Sequence, residues 1–457
     1  FPFLFSPAIR VRIFRLTSFC AAFTVHWIQQ SRVGELLKRR AQIQSDLNEA
    51  EGRRMQQLSQ ELSNVEERIA RNPWWLGCVE CVLARLRKSA DSFLPMSAAL
   101  MDRVDNRTML EIQFEGETGF GSAVTRSFYA ELAKEFLKKK LAIWVANSQE
   151  QLYVHVPKRG LRLHPYFAPS QELLAHCRLL GQLIGRAVAE GYIFPLQLSI
   201  ETWAIIRDPT SVRPDSALPF PGDNTSGEFI GSCCEKVDSE FLQSVGAVFV
   251  ETGLSGAELC PNGANIPVTA ENVDEFLRLA RAFYLHVGIE AQIAAIRSGI
   301  ASMVALPSLQ LFSPEELRTL VCGEDEIAWD AAQLKEILVF HEDSMNEWLI
   351  EVLVDMDNSA RSTFLDFVTS CPRLPPQLKI EVFPETIASS NLTSPVLRPA
   401  SPPTDLGGDV IAEEVVGYPR SRACVNHLYL PRYKAKETLR ERLIEAMVSS
   451  VHHDEIT

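Results

Sequence analysis

One segment near the middle of the chain predicts a helix that is apolar on nearly every side. Residues 171–192 carry apolar side chains around most of the helical circumference. Such a helix is stable only when other elements cover it, so we expect it to be buried in a mostly helical region. Gly181 and Gly185 lie four residues apart on one face, which favours close approach of another helix.

Length and composition are those of a globular protein with two or three compact units. The chain has 457 residues, of which 46% are hydrophobic and 23% are charged. The formal net charge of −13 argues against nucleic acid as the main partner. Ten cysteines are too few for a disulfide scaffold, so we expect reduced thiols and a cytoplasmic or nuclear location. No apolar run approaches the ~20 residues of a membrane span. Because the first residue is Phe1 and not Met, we expect either a piece of a longer protein or a processed one.

Helical and strand patterns follow each other along the rest of the chain. Residues 32–72 and 74–104 both have helical patterns, and the first of these ends at an Asn-Pro pair. Residues 109–114 alternate apolar and polar side chains, as a half-buried strand does. Residues 313–316, Ser-Pro-Glu-Glu, predict a helix start with a capping box. The chain is therefore expected to contain both helices and strands.

One cysteine near the C-terminus is set apart by its surroundings. Residues 384–419 are rich in Pro, Ser, Thr and Gly and predict a long loop, whereas residues 425–430 predict a strand. Cys424 therefore falls at a junction between loop and strand. Arg420 and Arg422 flank it, and nearby positive charge favours the nucleophilic thiolate. From these residues alone, a packed core cysteine beside the strand is the commoner alternative.

Residues 422–433, RACVNHLYLPRY, resemble the signature around the active cysteine of HECT-type ubiquitin ligases. The matching positions are Cys424, Asn426, Leu428, Leu430, Pro431 and Tyr433. Upstream segments that are similar to the same family are 110–121, 178–198, 266–279, 309–323 and 364–375. The resemblance covers about residues 105–457. Residues 1–10 are similar to a segment that precedes this domain in the ubiquitin-fusion-degradation and thyroid-receptor-interacting subgroup.

The resemblance implies an α+β fold of two lobes joined by a hinge. Residues 1–104 would form a helical N-terminal extension, residues 105–340 a large, mostly helical N-lobe, and residues 341–457 a small α/β C-lobe. The hinge is expected near residues 338–343, and a subdomain at about 225–305 would bind the conjugating enzyme.

The same resemblance implies a cysteine-based transfer of ubiquitin. Cys424 would accept ubiquitin from a conjugating enzyme as a thioester and pass it to lysines of protein substrates. No metal or other cofactor is implied, and neither nucleic acid nor a membrane is an expected partner. Arg373, Arg422 and Asn426 would support the catalytic loop, and Phe276 would contact the conjugating enzyme. Arg373 could instead merely pair with a carboxylate, and Phe276 could be a core residue.

Three departures from the family pattern leave a non-catalytic function open. Ala423 replaces the usual threonine before the cysteine, and Arg422 stands where many members have histidine. Asp454 stands where many members have a phenylalanine four residues from the end. The alternative is a degenerate module that binds a conjugating enzyme or ubiquitin without forming an adduct. A scaffold that acts through residues 32–72 is a third interpretation.

Overall fold

The computed structural model of the protein divides into two units. The first comprises residues 1–117, 134–192 and 196–318, and the second comprises residues 118–133, 193–195 and 319–457. Within these units the structure describes residues 5–18, 36, 39–40, 42–44, 46–47, 52–70, 81–87, 92–105, 108–116, 122–145, 160–210, 246–250, 258–324, 329–341, 346–374, 378–385 and 417–453.

The described residues contain helices and a smaller number of strands. In chain order, the helices are α1 (Pro7–Ser18), α2 (Gly52–Ala70), α3 (Phe93–Met101), α4 (Ser122–Phe136), α5 (Gln171–Glu190), α6 (Ile200–Arg207), α7 (Val273–Ala282), α8 (Glu290–Met303), α9 (Pro314–Cys322), α10 (Ala331–Ile337), α11 (Asn346–Asp355), α12 (Asn358–Thr369) and α13 (Lys436–His453). The strands are β1 (Cys81–Leu86), β2 (Met109–Phe114), β3 (Leu338–Phe340), β4 (Ile380–Glu385), β5 (Arg420–Arg422) and β6 (His427–Pro431).

The core of the first unit is built on the contact between α5 and α8. At Gly181 of α5, an added methyl group would lie 2.0 Å from the carbonyl oxygen of Ile296. At Gly299 of α8, the same group would lie 2.0 Å from the carbonyl oxygen of Arg178. Only glycine permits this approach of two helix backbones. The close helix packing predicted from the glycines of α5 is therefore confirmed.

The helical pattern predicted over residues 74–104 is wrong at β1. Cys81–Leu86 forms a strand that pairs in parallel with Met109–Phe114, the strand predicted from alternation. Leu83 and Arg85 are exposed whereas Ala84 and Leu86 are buried, which is the two-residue period of a strand. The pairing partner lies more than twenty residues further along the chain, so tertiary pairing overrides the local helical pattern.

A buried arginine on helix α1 forms hydrogen bonds to the start of α9 and the residues before it. The guanidinium of Arg10 donates to both carboxylate oxygens of Glu316, at 2.6 and 2.5 Å, and to the carbonyl oxygen of Leu311 at 2.9 Å. The Arg10 side chain is only 8% exposed. Glu316 also accepts the backbone N–H of Ser313, whose hydroxyl accepts from the backbone N–H of Glu316. The predicted capping box is confirmed, and it shares its carboxylate with α1.

Replacing Arg10 with methionine is expected to lower the free energy of unfolding by about 2 kcal/mol, because charge-assisted hydrogen bonds are lost. The hydrogen bond from Arg10 holds the pKa of Glu316 below its ordinary value of 4.5. A lowered folded-state pKa stabilises the fold above pH 4.5, and this stabilisation is lost as the pH falls through the lowered value. The difference in free energy of unfolding between Arg10→Met and the wild type should therefore be largest near neutral pH.

Urea unfolding at pH 7 and pH 3.5 measures this difference. Arg12→Met is the matched control, because Arg12 lies on the same helix and is exposed. An equal loss of stability in both variants, or a loss that does not shrink at the acidic pH, would contradict the prediction.

The second unit is a four-stranded sheet packed against helices. The strand order is β3-β4-β6-β5, in which β3 and β6 run parallel to β4, and β5 runs antiparallel to β6. One face of the sheet packs against α11, α12 and α13 in a core whose members include Leu349, Phe364, Ile380, Leu428 and Leu439. The strand predicted at residues 425–430 is confirmed by β6. Apart from its ends, the predicted loop over 384–419 lies outside the described residues.

The predicted hinge at residues 338–343 is wrong in its first half. Leu338–Phe340 forms β3 and pairs with β4, so these residues belong to the sheet of the second unit. Leu338 is buried in the core of that unit, together with Trp329 and Leu334. The local sequence of Leu338–Phe340 does not reveal this pairing, because the partner strand β4 lies about forty residues further along the chain. The lobe boundary itself remains a prediction.

Candidate active site

A single tight turn carries the backbone of Cys424. Ala423–Val425 forms one turn of 3-10 helix between β5 and β6, and Asn426 closes it in the left-handed conformation with φ +55°. Asparagine tolerates this conformation better than most residues. Arg422 and Val425, on either side, are exposed. The side chain of Cys424 lies outside the described part of the structure, although its backbone lies within it.

Backbone and side-chain hydrogen bonds tie this turn to neighbouring segments. The backbone N–H of Glu381 in β4 donates to the carbonyl oxygen of Asn426 at 3.0 Å. The side-chain amide of Asn426 donates to the carbonyl oxygen of Lys379 at 3.4 Å. The predicted supporting residue Asn426 therefore joins the turn to β4.

Arg126 is a supporting residue that the sequence did not predict. This residue of α4 donates from Nη1 to Oδ1 of Asn426 at 2.8 Å and from Nη2 to the carbonyl oxygen of Ala423. Its guanidinium therefore bonds to both ends of the turn. Arg126 follows closely on the HECT-like segment 110–121, but three hundred residues separate it from Asn426. Nothing in that spacing reveals the contact.

Arg422 lies against an aromatic ring of the neighbouring strand. Its guanidinium carbon is 5.4 Å from the centroid of the Tyr429 ring, within the range of a cation–π contact. The structure therefore brings Arg422 to the outer face of the sheet, next to the turn. Because the side chain is exposed, water and salt weaken its field at the turn.

The outer face of the sheet beside the turn combines aromatic rings with one carboxylate. The ring nitrogens of His341 and His427 lie 3.4 and 3.5 Å from the same oxygen of Glu381. The ring of Phe383 stacks on His341 at a centroid distance of 4.1 Å and on Tyr429 at 5.5 Å. These contacts give the face next to Cys424 a defined arrangement of side chains.

Arg373 is placed near a second cysteine. Its backbone N–H donates to the thiol of Cys371, and Gly323, with φ +73°, allows the segment to approach the end of α9 closely. Burial is the largest influence on that thiol and raises the pKa of Cys371 to about 11, despite opposing effects of the Arg373 backbone and the charge of Arg126. The predicted role of Arg373 in supporting the catalytic loop remains a prediction.

The three cysteines that the structure describes as buried, Cys177, Cys322 and Cys371, are poor nucleophiles. Burial raises the pKa of Cys177 in α5 to about 12, as it raises that of Cys371. At neutral pH, a thiol with a pKa of 11 is ionised in only about one molecule in ten thousand. Cys322 is likewise buried at the end of α9. These thiols are therefore structural.

Phe276 lies in a small core and not on the surface. Its side chain is 1% exposed, and its ring packs edge-on against Phe249 at a centroid distance of 5.5 Å. Val268 and Ala280 belong to the same cluster. The structure thus agrees with the core alternative for Phe276. As placed, the ring cannot touch a partner protein, so Phe276 can act on the conjugating-enzyme site only by shaping its surroundings.

The described ranges contain neither a membrane-spanning helix nor a metal-binding cluster. Every helix in them is too short or too polar to traverse a lipid bilayer. The same ranges hold no group of three or more His, Cys, Asp or Glu side chains with the geometry of a metal site. Asp454, one of the departures from the family pattern, lies outside these ranges.

Comparison with known proteins matches most of the chain to one family. The family described as HECT-domain (ubiquitin-transferase) matches residues 130–453. E3 ubiquitin-protein ligase TRIP12 of Danio rerio is 28% identical over 401 residues, which cover 78% of this chain and 19% of that protein. A probable ubiquitin fusion degradation protein of Schizosaccharomyces pombe is 27% identical over 365 residues, covering 75% of this chain and 21% of its own.

A third relative extends over nearly the whole sequence. E3 ubiquitin-protein ligase hecd-1 of Caenorhabditis elegans is 23% identical over 535 aligned positions, which cover 99% of this chain and 19% of that protein. The chain thus spans about a fifth of the length of these relatives. Its helices, its small sheets and the turn at Cys424 agree with the α+β, two-lobed fold implied by the signature. The chain belongs to the HECT-domain (ubiquitin-transferase) family, in the subgroup that includes TRIP12 and the ubiquitin fusion degradation proteins.

Proposed function

We propose that the chain is the catalytic region of an E3 ubiquitin-protein ligase in which Cys424 forms a thioester with ubiquitin. The observation that carries this proposal is the position of the family signature in the fold. The turn Ala423–Val425 connects β5 to β6, and Arg422 and Val425, on either side of Ala423 and Cys424, are exposed. A nucleophile that must meet a protein-bound thioester needs such a position at the surface. We further propose action in the cytoplasm or nucleus, where thiols stay reduced.

The first step exchanges one thioester for another. The thiolate of Cys424 attacks the carbonyl carbon that joins the C-terminus of ubiquitin to the conjugating enzyme. The bond from this carbon to the enzyme's sulfur breaks, and that sulfur leaves as a thiolate. Because the bonds broken and formed are of the same kind, the step is close to balanced in energy, and its rate depends on positioning.

The second step passes ubiquitin to a substrate. A neutral lysine amine of the substrate attacks the new thioester, an isopeptide bond forms, and Cys424 is released as a thiolate while the amine gives up a proton. No metal or nucleotide takes part in either step. The proposed partners are therefore ubiquitin, a ubiquitin-conjugating enzyme and protein substrates.

Movement of the sheet-bearing lobe would allow one cysteine to serve both steps. We propose that the N-lobe starts at residue 105 and ends before β3, that the C-lobe runs from β3 to residue 457, and that residues 1–104 form the extension. Since β3 is paired with β4, a hinge in this region must lie outside that strand. The conjugating enzyme is proposed to bind the subdomain at about 225–305, whose described core contains Phe276 and Phe249.

A ubiquitin-charging assay tests the proposed function. The chain, activating enzyme, ubiquitin and ATP are incubated with each member of a panel of conjugating enzymes that accept ubiquitin. We expect a ubiquitin adduct on this chain that survives non-reducing electrophoresis and disappears on adding a thiol reductant. Omission of ATP is the control. A folded chain that forms no such adduct with any charged conjugating enzyme would contradict the proposal.

The non-catalytic alternative makes a different prediction in the same experiment. Ala423 and Asp454, which depart from the family pattern, motivate it. A degenerate module would bind a charged conjugating enzyme, measurable by a pull-down with the purified enzyme, while leaving the thioester on that enzyme. Binding without transfer therefore favours the alternative.

A further inference from the structure

The turn that carries Cys424 is bonded at both ends to one guanidinium group. Ala423 immediately precedes the cysteine and offers its carbonyl oxygen to Nη2 of Arg126. Asn426 follows two residues later and offers Oδ1 to Nη1, at 2.8 Å. The planar guanidinium, with its donors in a fixed geometry, suits two acceptors placed this way.

The contact adds to hydrogen bonds that the turn makes with β4. Asn426 adopts the left-handed conformation, and its carbonyl oxygen accepts the backbone N–H of Glu381. Arg126 supplies two further bonds, to Asn426 and to Ala423. A turn bonded to both a strand and a guanidinium has a restrained backbone.

The same contact places a permanent positive charge beside the turn. Arginine remains protonated at every pH at which a cysteine titrates. Arg126 is partly buried, so its charge is screened less than that of exposed Arg422. Its field also reaches the thiol of Cys371, whose pKa it lowers against the stronger effect of burial. A positive charge close to a cysteine favours its thiolate over its thiol.

We propose that Arg126 is a positioning residue for Cys424: while α4 is in contact with the turn, Arg126 holds the turn and favours the thiolate of its cysteine. This inference rests on the proposed function, because it assumes that Cys424 is the nucleophile. Arg126 touches neither ubiquitin nor the reacting thioester in this role. Its effect is exerted through Ala423 and Asn426.

The pH dependence of alkylation tests the inference without any ubiquitin chemistry. The chain is treated with iodoacetamide from pH 5 to 10, and mass spectrometry follows the peptide that contains Cys424. In Arg126→Met, the midpoint of the alkylation rate should rise by about half a pH unit or more, because a nearby positive charge is lost. Arg126→Lys keeps the charge and should shift the midpoint less. Arg440→Met is the control, since Arg440 is exposed on α13, and it should leave the midpoint unchanged.

The charging rate supplies the second readout. Arg126→Met should lower kcat for thioester formation about tenfold, with KM for the charged conjugating enzyme within about twofold of the wild type. Lysine cannot bridge both acceptors, so the kcat of Arg126→Lys should lie between that of the wild type and that of Arg126→Met. Circular dichroism establishes that each variant is folded. A folded Arg126→Lys or Arg126→Met with an unchanged midpoint and an unchanged kcat overturns the inference.

The two readouts separate the inference from the function on which it rests. A shifted alkylation midpoint in a chain whose wild type forms no adduct would overturn the proposed function while upholding the effect of Arg126 on the Cys424 thiol. A normal wild-type adduct together with an unchanged midpoint and kcat in Arg126→Met would uphold the proposed function and overturn the inference about Arg126.

Discussion

Cys424→Ala is expected to abolish the reductant-sensitive ubiquitin adduct while leaving the fold intact. Alanine removes the sulfur that forms the thioester and adds no bulk to the turn Ala423–Val425. The loss should be complete within the detection limit of the charging assay, because the proposed thioester forms at this sulfur and at no other. Circular dichroism and the urea midpoint should match those of the wild type.

Two further variants make this result specific. Cys260→Ala is the matched control, because Cys260 is partly exposed and lies in the first unit. That variant should form the adduct at the wild-type rate. Cys424→Ser should instead accumulate an oxygen ester that resists thiol reductant but is cleaved by hydroxide. An undiminished adduct on Cys424→Ala would place the nucleophile at another residue.

Gly181→Ala is expected to destabilise the first unit by at least about 3 kcal/mol. Alanine normally stabilises a helix relative to glycine by about 1 kcal/mol. Here its methyl group would lie 2.0 Å from the carbonyl oxygen of Ile296, so α5 and α8 must separate. Overpacking of this kind costs typically about 1–3 kcal/mol and occasionally more, and the colliding atom is backbone, which cannot rotate away.

Gly185→Ala is the control for this prediction, since it is the same substitution one turn later on the same helix. Its methyl group would lie 3.0 Å from the Cβ of Met303, a contact that small shifts can relieve. Its stability should stay within about 1 kcal/mol of the wild type, because the gain in helix propensity offsets mild crowding. Urea unfolding followed by far-ultraviolet circular dichroism measures both variants. Equal effects at the two positions would show that the helices are not held as closely as the structure indicates.

Elements with strong local signals could be predicted from the sequence. The apolar helix α5, the capping box at Ser313 and the alternating strand β2 all depend on residues within a few positions of one another. β1 and β3 could not be predicted, because each is decided by pairing with a strand far along the chain. Local periodicity carries no information about such partners.

The same distinction applies to the candidate site. The residues around Cys424 predicted a junction between a loop and a strand but not the 3-10 turn that the structure shows there. The resemblance implied that Asn426 supports the catalytic loop, and its hydrogen bonds agree with such a role. Arg126 could not be predicted, because a long-range contact to a backbone carbonyl leaves no pattern in the sequence. Phe276 shows why the sequence left two alternatives open, since an aromatic residue on a helix looks the same in a sequence whether it faces a partner or the core, where the structure places it.

The burial of Arg10 has a practical consequence for preparing shorter fragments. A fragment that starts after residue 18 would lack the cation that covers Glu316 and the ring of Phe14 that packs on Phe312. The apolar surface around Phe312 would then be exposed, and this would favour aggregation during expression. Fragments that contain the HECT domain should therefore begin upstream of Pro7, even though the family match itself starts at residue 130.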